Sequence, residues 1–230
     1  MHDSIGSTDS GTVHITIVNT PNRSFVTAAY HDFLKRAPTS SELSTTSAKL
    51  DAATTTRSQV LKALANSDEW LTTIVNQLYS NTLGRQGDPG GIAYWVNQLR
   101  TGAQSVAEVA AHFYASPEYY NGIGGGTDTS WLTDLYHKLL GRNPDAGGLS
   151  YWKTQTTQTG RVSVALRFYN SSESAHDRVK ALYVKLLGRQ PDTAGADYWA
   201  GQVVIHGDIS LAQNLSASNE YFNRAHTQYP

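Results

Sequence analysis

Three arginines occupy the same place in three similar segments: Arg85, Arg142 and Arg189, each three residues ahead of an aspartate, Asp88, Asp145 and Asp192. A guanidinium presents a planar fork of N–H donors that grips a carboxylate through two parallel hydrogen bonds. Two carboxylates compete for each fork: the nearby aspartate, or the glutamate of a Ser-x-Glu triplet that recurs at Glu69, Glu118, Glu173 and Glu220. An ion pair repeated segment by segment needs no ligand to explain it. These residues are therefore read as a structural motif.

Aromatic side chains offer a second chemistry. Tyr94-Trp95, Tyr151-Trp152 and Tyr198-Trp199 recur at one position, and an indole face can stack on the C–H surface of a sugar. Core packing is the preferred reading, because large rings dominate protein interiors. Trp95, Trp152 and Trp199 nevertheless stand as candidate stacking residues. Trp70 and Trp131 lie outside the repeated pair and are the better candidates for an exposed anchor.

Catalytic and metal chemistry find less support. The eight histidines never fall at the i, i+4 spacing of a zinc helix, and the chain has no cysteine. Loops such as Gly141–Gly148 offer one carboxylate beside an arginine, short of the alternating oxygen ligands a calcium loop needs. There is no GxSxG elbow, and the glycine run Gly122–Gly126 leads into Thr-Asp where a phosphate loop needs Lys-Ser/Thr. The expectation is no enzyme, no catalytic residue, no metal and no cofactor.

The elements that must position these side chains follow from the repeat. Leu78-Tyr79, Leu83-Gly84-Arg85, Asp88, Gly91 and Tyr94-Trp95 return as Leu135-Tyr136 to Tyr151-Trp152 and as Leu182-Tyr183 to Tyr198-Trp199. A worn copy keeps Tyr30, Leu34, Arg36, Pro38 and Thr39, with Lys35 in place of the glycine. Leu132, Leu135, Tyr136, Leu139 and Leu140 form one apolar stripe of an opening helix. Gly84, Gly141 and Gly188 are placed to stop that helix in a left-handed cap, and the aspartates to start the next. A third helix carries aligned columns, such as Val60, Val109, Val164 and Leu211, or Leu64, Phe113, Phe168 and Leu215. The Ser of Ser-x-Glu caps the following opening helix, with Glu in its first turn complementing the helix dipole.

The fold class expected is all-α: a tandem array of four three-helix repeat units, preceded by a short β segment. Residues 1–24 form a tail whose β-branched run, Val13, Ile15 and Ile17, reads as a strand, resembling the last strand of an upstream Ig-like domain. Units one and two span 25–120, a glycine-rich joint 121–129, and units three and four 130–230. The joint is the expected hinge between two lobes.

The pattern LYxxxLGRxxDxxGxxYW with a trailing Ser-x-Glu resembles the bacterial domain-of-unknown-function family 4214, and more distantly phycobilisome linker domains. The resemblance spans about Phe25 to Tyr221. Gly87 and Ala196 depart from the family's usual Pro and Leu. It implies a helical module of secreted or surface proteins, such as S-layer-like proteins, with no established catalysis and no named ligand.

Composition narrows the partners. A net charge of −1 over 230 residues leaves no positive field for nucleic acid, and no run of about 18 apolar residues predicts membrane insertion. Met1 to Ser10 lacks a signal peptide's basic and apolar regions, so any export signal is expected outside this sequence, in a longer parent. The function expected is a non-catalytic protein-interaction or structural module at the cell surface or outside the cell, its partner a protein or cell-surface component. The alternative is a glycan-binding adhesin module using exposed aromatics.

Overall fold

The computed structural model describes residues 19–230. Helix stops come first, because single residues set them. Helices α4 (Asp68–Leu83), α8 (Asp128–Leu140) and α10 (Ser172–Leu187) end on Gly84, Gly141 and Gly188 at φ 64°, 65° and 70°, a backbone state glycine takes without a Cβ clash. In the worn unit, α1 (Pro21–Ala29) runs into a π-helical turn, Tyr30–Leu34, and Lys35 adopts the same left-handed state at φ 59°.

The chain restarts on a cap. Asp88, Asp145 and Asp192 accept the N–H of Gly91, Gly148 and Gly195 at 2.8, 2.8 and 2.7 Å. They open α5 (Pro89–Thr101), α9 (Ala146–Tyr169) and α11 (Thr193–Ala217). Thr39 opens α2 (Ser40–Asp51) through a capping box with Glu42. The motif's glycine is set by space, since a Cβ on Gly148 would lie 2.6 Å from the Tyr136 hydroxyl.

Thr56 and Ser105 cap the third helices α3 (Arg57–Ala65) and α6 (Val106–Ala115). Units three and four differ from the expectation of three separate helices. Their second and third helices run on as the bent rods α9 and α11, broken only at Gly160 and Gly207, with φ near 80° and extended ψ. One glycine there replaces a whole turn.

Ser67, Ser116, Ser171 and Ser218 accept the N–H of Trp70, Tyr119, Ser174 and Tyr221 at 3.1–3.2 Å. They begin α4, α7 (Pro117–Asn121), α10 and α12 (Asn219–Gln228). Helices α4 and α10 continue from this cap to the glycine stop, whereas α7 ends after five residues at the glycine insert. That insert is a tight turn: Gly124 and Gly126 donate to the carbonyls of Tyr119 and Tyr120 at 2.7 and 2.8 Å.

Two cores hold the units together. One gathers Ala110, Tyr114, Tyr119, Trp131, Leu135 and Phe168 from α6 to α9, joining units two and three across the glycine insert. The other gathers residues of α1, α3 to α6 and α10 to α12, and joins unit four to units one and two. Units one and two thus share the second core with unit four, while units two and three share the first. The turn is short and well bonded, with α6 meeting α9 across it, and α3 meets α11 where unit one packs on unit four.

The second core closes the array. Helix α12 lies along α1, with the Phe25 ring edge-on to Tyr221 at 6.1 Å and both residues fully buried. The Tyr221 hydroxyl donates to Asp32 at 2.8 Å, and Ser24 donates to the Tyr229 carbonyl at 2.5 Å. Tyr119, the equivalent of Tyr221, donates to Asp134 across the glycine turn. The pair α12 and α1 therefore repeats, without a covalent link, what α7 and α8 do within the chain. Burying two such rings contributes roughly 1.5–3 kcal/mol each.

Among the described residues there is no strand, and no helix is long and apolar enough to cross a membrane. The expected β segment around Val13 lies outside the described residues.

Candidate functional site

Each unit closes on one clasp. Arg85 holds Glu118 with paired bonds of 2.6 and 2.7 Å, Arg36 holds Glu69 at 2.8 and 3.1 Å, and Arg142 reaches Glu173 at 2.9 Å. Arg189 takes Glu220, its second bond 2.8 Å long. Each guanidinium also lies 4.9–5.3 Å over the motif tyrosine: Tyr79 under Arg85, Tyr136 under Arg142, Tyr183 under Arg189 and Tyr30 under Arg36. Of the two partners open to each arginine, the Ser-x-Glu carboxylate is the one taken. The aspartates are occupied by the helix caps.

These contacts tune the carboxylates. Arg85 and Arg189 hold Glu118 and Glu220 below the usual glutamate range, and the Gly91 and Gly148 N–H groups lower Asp88 and Asp145. Arg36 differs by also forking Glu42 with two 2.9 Å bonds, which, with the Thr39 N–H, brings Glu42 down to about 2. All of these carboxylates are acceptors already filled, with no free acid or base among them.

The tryptophans divide. Trp70 and Trp131 are buried, 6% and 0% exposed, which corrects their reading as exposed anchors. The reason is positional: Trp70 follows Ser-x-Glu, as Tyr119 and Tyr221 do, and this aromatic column faces the core. Trp131 stands in the column of Phe25 and Ile74, and its indole N–H donates to the Tyr114 carbonyl at 2.7 Å. The Tyr-Trp pairs split between inside and outside. Trp95, Trp152 and Trp199 are half-buried against the core, while Tyr94, Tyr151 and Tyr198 are 54–59% exposed and meet their tryptophans edge-on at 4.8–5.1 Å.

A cavity of about 550 Å³ lies where α4, α10 and α11 converge. Ile74, Leu78, Leu182 and Ile209 give it an apolar wall, beside Trp70, Lys35, Lys185, Arg178 and Asp208. Arg178 and Asp208 pair at 2.5 Å and are mostly buried, and the guanidinium sits 4.2 Å over Tyr169, donating to its carbonyl at 2.9 Å. Arg178 Nε, Asp208 Oδ2 and Trp70 Nε1 have no hydrogen-bond partner among the described residues. Lys185 lies 4.8 Å over the Trp70 ring, and burial, reinforced by neighbouring Lys35, pushes its ammonium down to about 8.

Sequence reasoning passed over these residues because they do not repeat. Part of their signal is a departure: Arg178 takes the place held by Phe25, Ile74 and Trp131 in the other units, and Asp208 is an acid where units one and three carry Arg57 and Arg161. Charge replacing an apolar side chain at a core-facing position needs a partner, and Asp208 supplies it to Arg178.

Among known families, the one described as Domain of unknown function (DUF4214) matches four times in tandem, over residues 11–74, 72–123, 110–178 and 174–225. No curated protein and no solved structure matches.

Proposed function

The chain belongs to the DUF4214 family, and from that premise we propose that it is a non-catalytic interaction or structural module of a larger secreted or cell-surface bacterial protein. The observation that carries this reading is where the repeated charges go. Four arginine–glutamate clasps and three aspartate caps use the motif's polar groups to hold helices in place. Among what the repeats turn outward are Tyr94, Tyr151 and Tyr198, 54–59% exposed, and such aromatic surface suits recognition better than bond-breaking. The test is binding of the immobilised chain to purified surface-layer protein from the producing cell. Saturable binding, lost when Tyr94, Tyr151 and Tyr198 are all changed to Ser, supports the reading, and absence of binding counts against it.

A glycan-binding module is the second reading, favoured by the three exposed tyrosines backed edge-on by tryptophan. A glycan array separates the two: sugar binding that the triple Ser variant abolishes assigns the tyrosines to carbohydrate.

A further inference from the structure

The cavity between α4, α10 and α11 is not explained by the repeat alone: Arg178 stands where the other units carry Phe25, Ile74 and Trp131, and Lys35 where they carry Gly84, Gly141 and Gly188. Its volume of about 550 Å³ suits a small molecule. Two ammonium groups stand beside one another at one side. Lys35 is exposed and Lys185 half-buried, and neither has a carboxylate within salt-bridge distance among the described residues. The nearest acid is Asp32, which already accepts from Tyr221 at 2.8 Å and faces Arg224 at 3.9 Å. The other acid of the cavity, Asp208, is held by Arg178. Positive charge is therefore in excess beside an apolar wall, and like charges held together without a counter-ion favour an incoming anion.

We propose that this cavity binds a small organic acid, its carboxylate between Lys35 and Lys185 and its apolar body against Trp70, Ile74, Leu182 and Ile209. The two oxygens of a carboxylate can face the two ammonium groups, and the wall gives the body apolar surface to cover. Trp70 in the wall makes occupancy visible in its fluorescence.

Octanoate and 4-phenylbutyrate are the probes, each paired with its neutral alcohol, octan-1-ol and 4-phenylbutan-1-ol, and titrated into the full chain at neutral pH. At least one acid is expected to bind saturably, more tightly than its alcohol by about tenfold or more. Lys185→Met should reduce that preference to below about threefold, while Arg142→Met, in a distant clasp, should leave it intact. If Lys185→Met does not fold, Lys35→Met at the exposed edge replaces it with the same expectation. The proposal is overturned if neither acid binds up to about 10 mM, if the alcohols bind as well as the acids, or if the preference survives the lysine substitution.

Discussion

Gly148 sits where the Tyr136 hydroxyl leaves no room for a methyl group, a Cβ there lying 2.6 Å from the oxygen. Gly148→Ala should cost about 1–3 kcal/mol through overpacking. Gly147→Ala, whose Cβ meets only the Asp145 carboxylate at 3.3 Å, should stay within about 0.5 kcal/mol of the wild type. Urea midpoints of the two variants check this, and equal losses would mean the tyrosine is not the constraint. The clasps are weaker devices, because their side chains are nearly half exposed. Arg142→Ala should lower the urea midpoint only slightly, and less still at high salt. Proton linkage follows from the same contacts. Glu42, Glu118 and Glu220 titrate below their ordinary value in the folded state, so their stabilisation is present above about pH 4.5 and is lost as pH falls towards the folded values. Lys185 acts in the opposite sense. Its folded pKa is about 8 against 10.5, so the unfolded chain binds the extra proton between those limits. Its contribution should make the wild type gain on Lys185→Met from about pH 8 to pH 10. Urea unfolding of both proteins across that range measures it, and a falling difference would contradict the assignment.

At the scale of the element, local punctuation was open to sequence reasoning and distant docking was not. Gly84, Asp88 and Ser67 act within a few residues of themselves, so residue type alone places a stop or a start. The fate of Trp131 depends on the carbonyl of Tyr114, seventeen residues earlier, and nothing local to the tryptophan announces that partner. Trp70 was more readable, since it shares its column with Tyr119 and Tyr221. The glycine insert misled by composition: four glycines suggest a loose linker, but Gly124 is pressed to 3.1 Å from Trp131 and two backbone carbonyls where a Cβ would be. At the same scale, α12 is held to α1 through one buried phenol. Tyr221→Phe keeps the ring beside Phe25 and removes the donor to Asp32, and thermal or urea unfolding should show a loss of about 1–3 kcal/mol. An unchanged midpoint would mean that the hydroxyl contributes nothing to the docking.

For the whole molecule, the four-unit count was legible because the motif repeats, whereas the pairing of units was not, because it depends on third helices meeting across long separations. The same distance hides the cavity, whose walls come from all four units. The account rests on a scaffold that closes upon itself, with α12 standing against α1 as α7 stands against α8. Because the chain has no cysteine, labels can be placed cleanly at His31 and Tyr229, whose rings stack at 5.4 Å. Spin labels on the His31→Cys, Tyr229→Cys variant, read by electron paramagnetic resonance, should give a single population of short distances in the folded protein. A broad distribution centred at long distance would show an open array, and the closed scaffold would be wrong.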